Sequence, residues 1–188
     1  MGIVAATPAS VLAQVAAPQV WGTDGTVSTI VRSGETVYIG GGFTRVGPST
    51  GGGVPVRADS ASIAGPFAQV AGQVYAVAAD GNGGWYIGGL FSAVGGVPRR
   101  NLAHVAACGS VVDWQPDPDA AVYTLTLASQ ALYVGGAFAT IAGQPRRAVA
   151  AFDVARGVMT GWDPSANGSV LCLAGTGDGI FAGGEFDS

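Results

Sequence analysis

Along this chain, apolar and polar residues alternate over short stretches, with no sustained helical spacing. Val122-Tyr-Thr-Leu-Thr-Leu127 interleaves threonine with apolar residues, Leu132–Gly135 is a short apolar run, and Val149-Ala-Ala-Phe-Asp153 is an alanine-rich one. With Val158–Trp162 they predict four strands in succession. Ala128-Ser-Gln-Ala131 reads as the tight turn of the first hairpin, and Arg32-Ser-Gly-Glu35, Asp80-Gly-Asn-Gly83 and Thr176-Gly-Asp-Gly179 are its counterparts. Gly, Asn and Asp suit the positive φ values that hairpin turns need. Gly96-Val-Pro-Arg99 and Gly143-Gln-Pro-Arg146 are expected between strands, where proline costs no ladder hydrogen bond.

The same pattern returns along the chain. Val37-Tyr-Ile-Gly-Gly-Gly-Phe43, Trp85-Tyr-Ile-Gly-Gly-Leu-Phe91, Leu132-Tyr-Val-Gly-Gly-Ala-Phe138 and Ile180-Phe-Ala-Gly-Gly-Glu-Phe186 have closing phenylalanines 48, 47 and 48 residues apart. Val27, Val74, Val122 and Val170 open the hairpins, and Trp21, Phe67, Trp114 and Trp162 precede them. Leu12-Ala-Gln-Val-Ala-Ala17 matches Leu102-Ala-His-Val-Ala-Ala107. Residues 1–10 form an N-terminal segment and 11–188 the repeats, at about 11–43, 44–91, 92–138 and 139–186. Four short strands per period of 40–50 residues, with Gly-Gly and a late tryptophan, predict an all-β fold of β-propeller type with four blade-equivalents of about 48 residues. The glycine pair would permit close backbone approach, and stability would come from stacking neighbours. The ring is either closed with four blades, the halves at 12–21 and 170–184 pairing, or a piece of a larger ring. A piece would expose apolar edges and self-associate.

Composition narrows the chemistry. Of 188 residues, 32 are Gly and 10 are Pro, while 48% are hydrophobic and 11% charged. This is turn-rich but far from the high-charge, low-hydrophobicity signature of disorder. There is no lysine, which excludes a Walker A loop and Schiff-base chemistry. One histidine and two cysteines without CxxC spacing exclude the common intrachain zinc sites. No cofactor is implied. A net charge of −4 with eight arginines argues against nucleic acid as a partner. The uncharged run Ala120–Pro145 is long enough to span a bilayer but reads as a hairpin, and no transmembrane segment is expected. Residues 1–23 lack the basic start of a secretory signal.

The order Gly-Gly, Phe152-Asp153, Gly157, Trp162 resembles the kelch blade. The fuller run, Leu132-Tyr-Val-Gly-Gly-Ala-Phe138, Ile141-Ala-Gly-Gln-Pro-Arg-Arg147, Ala148-Val-Ala-Ala-Phe-Asp153 and Trp162-Asp-Pro164, resembles the secreted bacterial β-propeller repeat proteins with "YVGG-x-F…GGQPR…LAA-D…W-P" arrays. The resemblance covers roughly residues 12–188. It implies an extracellular or cell-surface location and carries over no catalytic residues.

Candidate sites are few. Arg99-Arg100 and Arg146-Arg147, with Arg57, recur in phase. They suit either a ring of guanidinium groups that binds carboxylate or phosphate, or structural ion pairs to a repeat aspartate such as Asp153. Trp85 replaces an aliphatic residue and suits either sugar stacking or packing on a neighbouring blade. Asp117, Asp119, Asp163 and Asn167 read as Asx turns rather than calcium ligands. His104 reads as a satisfied strand histidine, Asp113 as the best-placed acid, and Cys108 and Cys172 as free thiols. The leading expectation is a non-enzymatic scaffold with a protein or glycan partner. The other is a carbohydrate-binding or carbohydrate-active propeller. No catalytic or metal-binding residue is assigned.

Overall fold

The computed structural model describes Trp21–Thr23, Thr26–Ser33, Thr36–Gly42 and Val46–Pro48 as strands, together with Gly52 and residues 67–176 and 179–187. Arg57, Phe67's preceding loop and the segment 1–20 lie outside the described residues. The fold is all-β, built of several small antiparallel sheets, with no helix among the described residues. No helix of the described residues is therefore long and apolar enough to cross a membrane.

The chain divides into two compact units, Met1–Ser49 and Thr50–Ser188. In the first, β1 (Trp21–Thr23) pairs with β4 (Val46–Pro48), and β2 (Thr26–Ser33) forms a hairpin with β3 (Thr36–Gly42).

The second unit holds three successive sheets. In the first, β5 (Val70–Ala79) pairs with the long strand β6 (Trp85–Val94). The first half of β6 also carries β8 (Leu102–Val105), and its far end carries β7 (Val97–Pro98). The second sheet is a four-stranded meander of β9 (Val122–Ala128), β10 (Ala131–Gly136), β13 (Val149–Asp153) and β14 (Val158–Met159). The small ribbon of β11 (Thr140–Ile141) and β12 (Gln144–Pro145) stands beside it. The third is the hairpin of β15 (Val170–Gly175) and β16 (Ile180–Gly184).

Two expectations are corrected here. β14 ends at Met159, not Trp162. Thr160 makes one more ladder bond to Ala151, and then its hydroxyl accepts from the Trp162 N–H and turns the chain away. Pro98 and Pro145 sit at the ends of the two-residue strands β7 and β12 rather than between strands. Both turns before them have two residues at positive φ: Gly95 and Gly96 in one, Ala142 and Gly143 in the other. That is the twist a two-residue hairpin needs. The turn of β9–β10 does the same with Ser129 (φ 48°) and Gln130 (φ 62°), neither a glycine.

All four hairpins share one irregularity. The opening valine pairs with the second glycine, and the residue two further on pairs with the first glycine. The pairs are Val27–Gly41 and Thr29–Gly40, Val74–Gly89 and Ala76–Gly88, Val122–Gly136 and Thr124–Gly135, Val170–Gly184 and Cys172–Gly183. One residue of each first strand is therefore extruded as a bulge: Ser28, Tyr75, Tyr123 and Leu171. A bulge twists its strand and re-aims the side chain it frees.

The glycines have separate tasks in the second unit. A Cβ on Gly88 would stand 2.5 Å from a Val122 methyl, and one on Gly135 would stand 2.7 Å from a Val170 methyl. Gly88 and Gly135 thus each receive the opening valine of the next sheet. A Cβ on the second glycine, 89, 136 or 184, would instead strike the backbone carbonyl of Gln73, Ala121 or Ser169 on its own hairpin partner.

Alternation along the strands now explains the continuous apolar runs, because both faces of the β10 sheet are covered. Leu132, Val134, Ala150 and Phe152 point to the β6 sheet and form a core with Tyr86, Leu102, Val122, Phe138 and Ile141. On the opposite face, Val149 packs with Ala148, Ala166 and Val170, beside Trp162 and Leu173. A third cluster, Val70, Ile87, Phe91, Val94, Ala103 and Val105, occupies the other face of the β6 sheet. Trp114 joins two sheets: its ring meets Tyr86 and Phe152 edge to face at 5.7 and 5.1 Å, and its indole N–H donates to Gly157 O at 2.9 Å.

Candidate functional site

The arginine doublets divide by position. The first member of each is structural. Arg99 is 5% exposed; its guanidinium donates to the carbonyls of Pro98 and Val112 and pairs with Asp113 at 3.2 Å. Arg146 repeats this with Pro145 O, Thr160 O and Asp163 at 3.5 Å. Each fork ties the proline turn to the segment that runs into the tryptophan. The expected partner Asp153 is not used by either; it pairs with Arg156 and caps the turn N–H groups of Ala155 and Arg156. Asp153 closes β13 at the end opposite to the one that follows the proline turn, and the arginine forks pair with Asp113 and Asp163 instead. A ring of free guanidinium groups is thereby reduced to the second members. Arg100 and Arg147 are exposed. Arg100 lines an open cleft of about 600 Å³ with Leu90, Ser92, Asn101, Gln115 and Asp117.

The loop acids serve as caps. Asp119 accepts from Ala139 and Thr140 N–H at 2.9 and 3.1 Å; burial works to raise its carboxyl, but these bonds outweigh it and hold it below its ordinary value. Asn167 accepts from Asp187 N–H one repeat later. Asp117 takes the Arg100 N–H. Among the described residues, no three His, Cys, Asp or Glu side chains stand together as a metal site. Asp113, besides its ion pair, accepts from Gln115, and its side chain is 90% exposed. Cys108 and Cys172 are free and exposed. The Ser110 hydroxyl 3.1 Å from Cys108 holds that thiol below its ordinary value.

Two constellations stand where the repeats differ. The first is a chain of Asp80, His104 and Tyr86. Asp80 follows β5 and accepts from the Asn82 and Gly84 N–H groups, and its carboxylate lies 2.9 Å from His104 Nε2. A carboxylate only accepts, so Nε2 carries the hydrogen. The imidazole stacks on Tyr86 at 4.3 Å. Burial tends to raise the Asp80 carboxyl, but the His104 bond and the two turn N–H groups outweigh it and keep it below 3.8. Burial, with the Asp80 charge beside it, pushes the Tyr86 hydroxyl up. Tyr86 and His104 border a cleft of about 390 Å³ with Trp114, Phe152, Asp153 and Arg156. An oriented imidazole is two-thirds of a triad. The bond clasps the hairpin turn to β8.

This clasp has a pH signature. A depressed carboxyl contributes stability that is complete above its unfolded value of 3.8 and is lost as pH falls through the lower folded value. Asp80→Asn is expected to destabilise the protein by about 1–3 kcal/mol at neutral pH, the worth of a charged acceptor's bonds. The gap should close below pH 3.8. Thermal melts of both proteins between neutral and acid pH would check it.

The second constellation is aromatic. The bulges place Tyr75 and Tyr123 with ring centroids 5.8 Å apart and planes at 42°. Tyr75 is 45% exposed, and its hydroxyl donates to Gln73 at 2.6 Å. Trp85 is 42% exposed and lies on the opposite face of the β6 sheet from Tyr86, paired with Ala79 and Val105. Sequence reasoning singled out Trp85 and passed over the tyrosines. Their signal was present: each follows an in-phase valine, at a position that reads Ser, Tyr, Tyr, Leu in successive repeats.

No family model matches the chain, and no curated protein or solved structure does so.

Proposed function

We propose that this chain is a non-enzymatic β-propeller module, a rigid scaffold for binding or display at the cell surface or outside the cell. The observation that carries it is the repeated contact between sheets. Gly88 receives Val122 and Gly135 receives Val170, so each sheet meets the next by the same valine-to-glycine step. A repeated step of this kind builds a curved array, the physical basis of propellers and solenoids. Arg99 and Arg146 are consumed in structural bonds, which fits a scaffold rather than a ring of free guanidinium groups. The resemblance to secreted repeat proteins supports the location.

A glycan-binding reading is favoured by one observation, the Tyr75–Tyr123 pair on neighbouring first strands, with Tyr75 exposed and Tyr123 half-buried. Aromatic faces beside a polar rim suit a sugar ring. A glycan array with the full chain, followed by a turnover assay on any hit, decides between the readings. The scaffold reading expects neither saturable glycan binding nor turnover. Binding lost in the Tyr75→Ala/Tyr123→Ala variant, with Trp85→Ala unchanged, would replace it with a lectin at the bulges. Turnover lost in Asp113→Asn would replace it with an enzyme.

A further inference from the structure

The chain has three asparagines, and the fold holds each of them differently. Asn101 is buried and precedes Leu102; its side chain accepts from the Phe91 N–H at 3.2 Å and donates to Pro118 O at 3.0 Å. The other two each precede a glycine, as Asn82-Gly83 and Asn167-Gly168. In such a dipeptide the backbone nitrogen that follows reaches the side-chain carboxamide most easily, because glycine has no Cβ to obstruct the approach. Asn167 is held at both ends of its amide. Its Nδ2 donates to the Asp187 carboxylate, and its Oδ1 accepts from the Asp187 N–H at 3.0 Å. Gly168 is backed by the chain, since a Cβ there would strike the Glu185 carbonyl. Asn82 is the reverse case. It stands exposed in the loop between β5 and β6, and among the described residues no hydrogen bond holds its side-chain amide or the Gly83 N–H. A Cβ on Gly83 would meet only the Ala107 methyl, at 3.2 Å.

We propose that Asn82 is a self-modification site, at which the folded protein converts its own asparagine to aspartate and isoaspartate, while Asn167 is protected by its bonds to Asp187. The Gly83 nitrogen attacks Cγ of Asn82; the new C–N bond closes a succinimide ring, and the Cγ–Nδ2 bond breaks. The departing nitrogen takes up the Gly83 proton and leaves as ammonia. Water then opens the ring at either carbonyl. One opening gives aspartate in the ordinary chain, and the other gives isoaspartate, whose main chain runs through Cβ and Cγ. Water is the only co-reactant, and nothing is oxidised or reduced. Each conversion adds one negative charge to a chain of formal charge −4. The place matters, because the same loop grips Asp80. The Asn82 and Gly84 N–H groups donate to Asp80 Oδ1 at 2.7 and 2.8 Å, and Asp80 Oδ2 meets His104. Isoaspartate inserts a methylene between those two donors, so their spacing no longer matches one oxygen. Conversion therefore loosens the clasp of the hairpin turn to β8. The inference stands independently of the scaffold reading.

The test is the full folded chain kept in mildly alkaline buffer, where base speeds the attack, and followed by ion exchange and peptide mapping with mass spectrometry. The first acidic species should carry its new acid at position 82, with Asn101 and Asn167 still amides. Urea-unfolded chain should instead convert Asn82 and Asn167 at similar rates, because the fold no longer separates the two dipeptides. Equal conversion of the two in the folded chain, or an unreacted Asn82 there, would overturn the proposal. Asn82→Gln should lose the early acidic species, since the longer side chain closes a ring poorly. Asp187→Pro removes both bonds to Asn167, because proline has neither the carboxylate nor the N–H. It should bring the conversion of Asn167 toward that of Asn82, and an unchanged rate would overturn the protection. The isolated isoaspartyl chain should melt below its parent, and in an Asp80→Asn background the two should coincide. An undiminished difference in that background would overturn the link to the clasp.

Discussion

Phe152→Ala is expected to lower stability by about 3–5 kcal/mol, the usual cost of emptying a buried aromatic position. Phe152 is 2% exposed and stands in β13 opposite Leu132, and its other ladder partner is Met159. Its ring takes the edge-to-face contact of Trp114, which comes from the preceding sheet. The loss therefore combines a cavity within one sheet with a weakened joint between two. An aromatic pair of this geometry adds about 0.5–1.5 kcal/mol beyond area. Little can collapse into the space, because Leu132, Val134 and Ile141 around it are fully buried and held by their own strands. At about 2–4 °C per kcal/mol for a chain of this size, the melting midpoint should fall by roughly 6–20 °C. Val158→Ala in the neighbouring strand β14 is the control. It is 53% exposed, and its midpoint should stay within the effect of about 0.5 kcal/mol typical of surface changes. Near-equal midpoints for the two variants would mean that the joint between the sheets is not where stability resides.

What the sequence reveals here follows from the range of the interactions involved. β9, β10 and β13 fall within about one residue of the segments read from alternation, because period-two patterning and turn chemistry are local. The Gly-Gly pairs were legible as close approaches for the same reason: a side chain is missing at a fixed phase. Their division of labour was not, since the first glycine answers to a valine 34 or 35 residues later, in the next sheet, and the second to its own hairpin partner. β14 was overrun because Thr160 keeps one more ladder bond, to Ala151, before its hydroxyl takes the Trp162 N–H and turns the chain, a step that alternation does not record. The Asp80–His104 bond spans 24 residues and joins a turn to a strand. Each half alone reads as ordinary turn or strand chemistry. The bulge tyrosines escaped because a bulge is set by the pairing register, and register belongs to two strands at once.

The two glycines of one pair should respond differently to the same added methyl. At Gly135 the new Cβ would press on side-chain atoms: a Thr124 methyl at 2.6 Å, a Val170 methyl at 2.7 Å and a Leu173 methyl at 3.2 Å. These belong to the facing hairpin and to β9, and they can give by rotation or by a slight parting of the sheets. Overpacking of this kind costs about 1–3 kcal/mol. At Gly136 the new Cβ would strike the Ala121 carbonyl and stand 3.0 Å from Val122 Cα. Both are backbone, and both are pinned. Ala121 O accepts from the Ala137 N–H at 3.0 Å, while Gly136 N–H donates to Ala148 O at 2.9 Å. Relief requires opening the bulge, which breaks the register of β9 on β10 and releases the Ala148 turn. Gly136→Ala is therefore expected to cost at least about 3 kcal/mol, at the upper end of single-residue effects, and more than Gly135→Ala. Thermal or urea melts of the two variants would measure the order. The reverse order would show that the inter-sheet step, and not the bulge, is the stiffer element, and would move the origin of the repeat's rigidity from the hairpin to the interface between sheets.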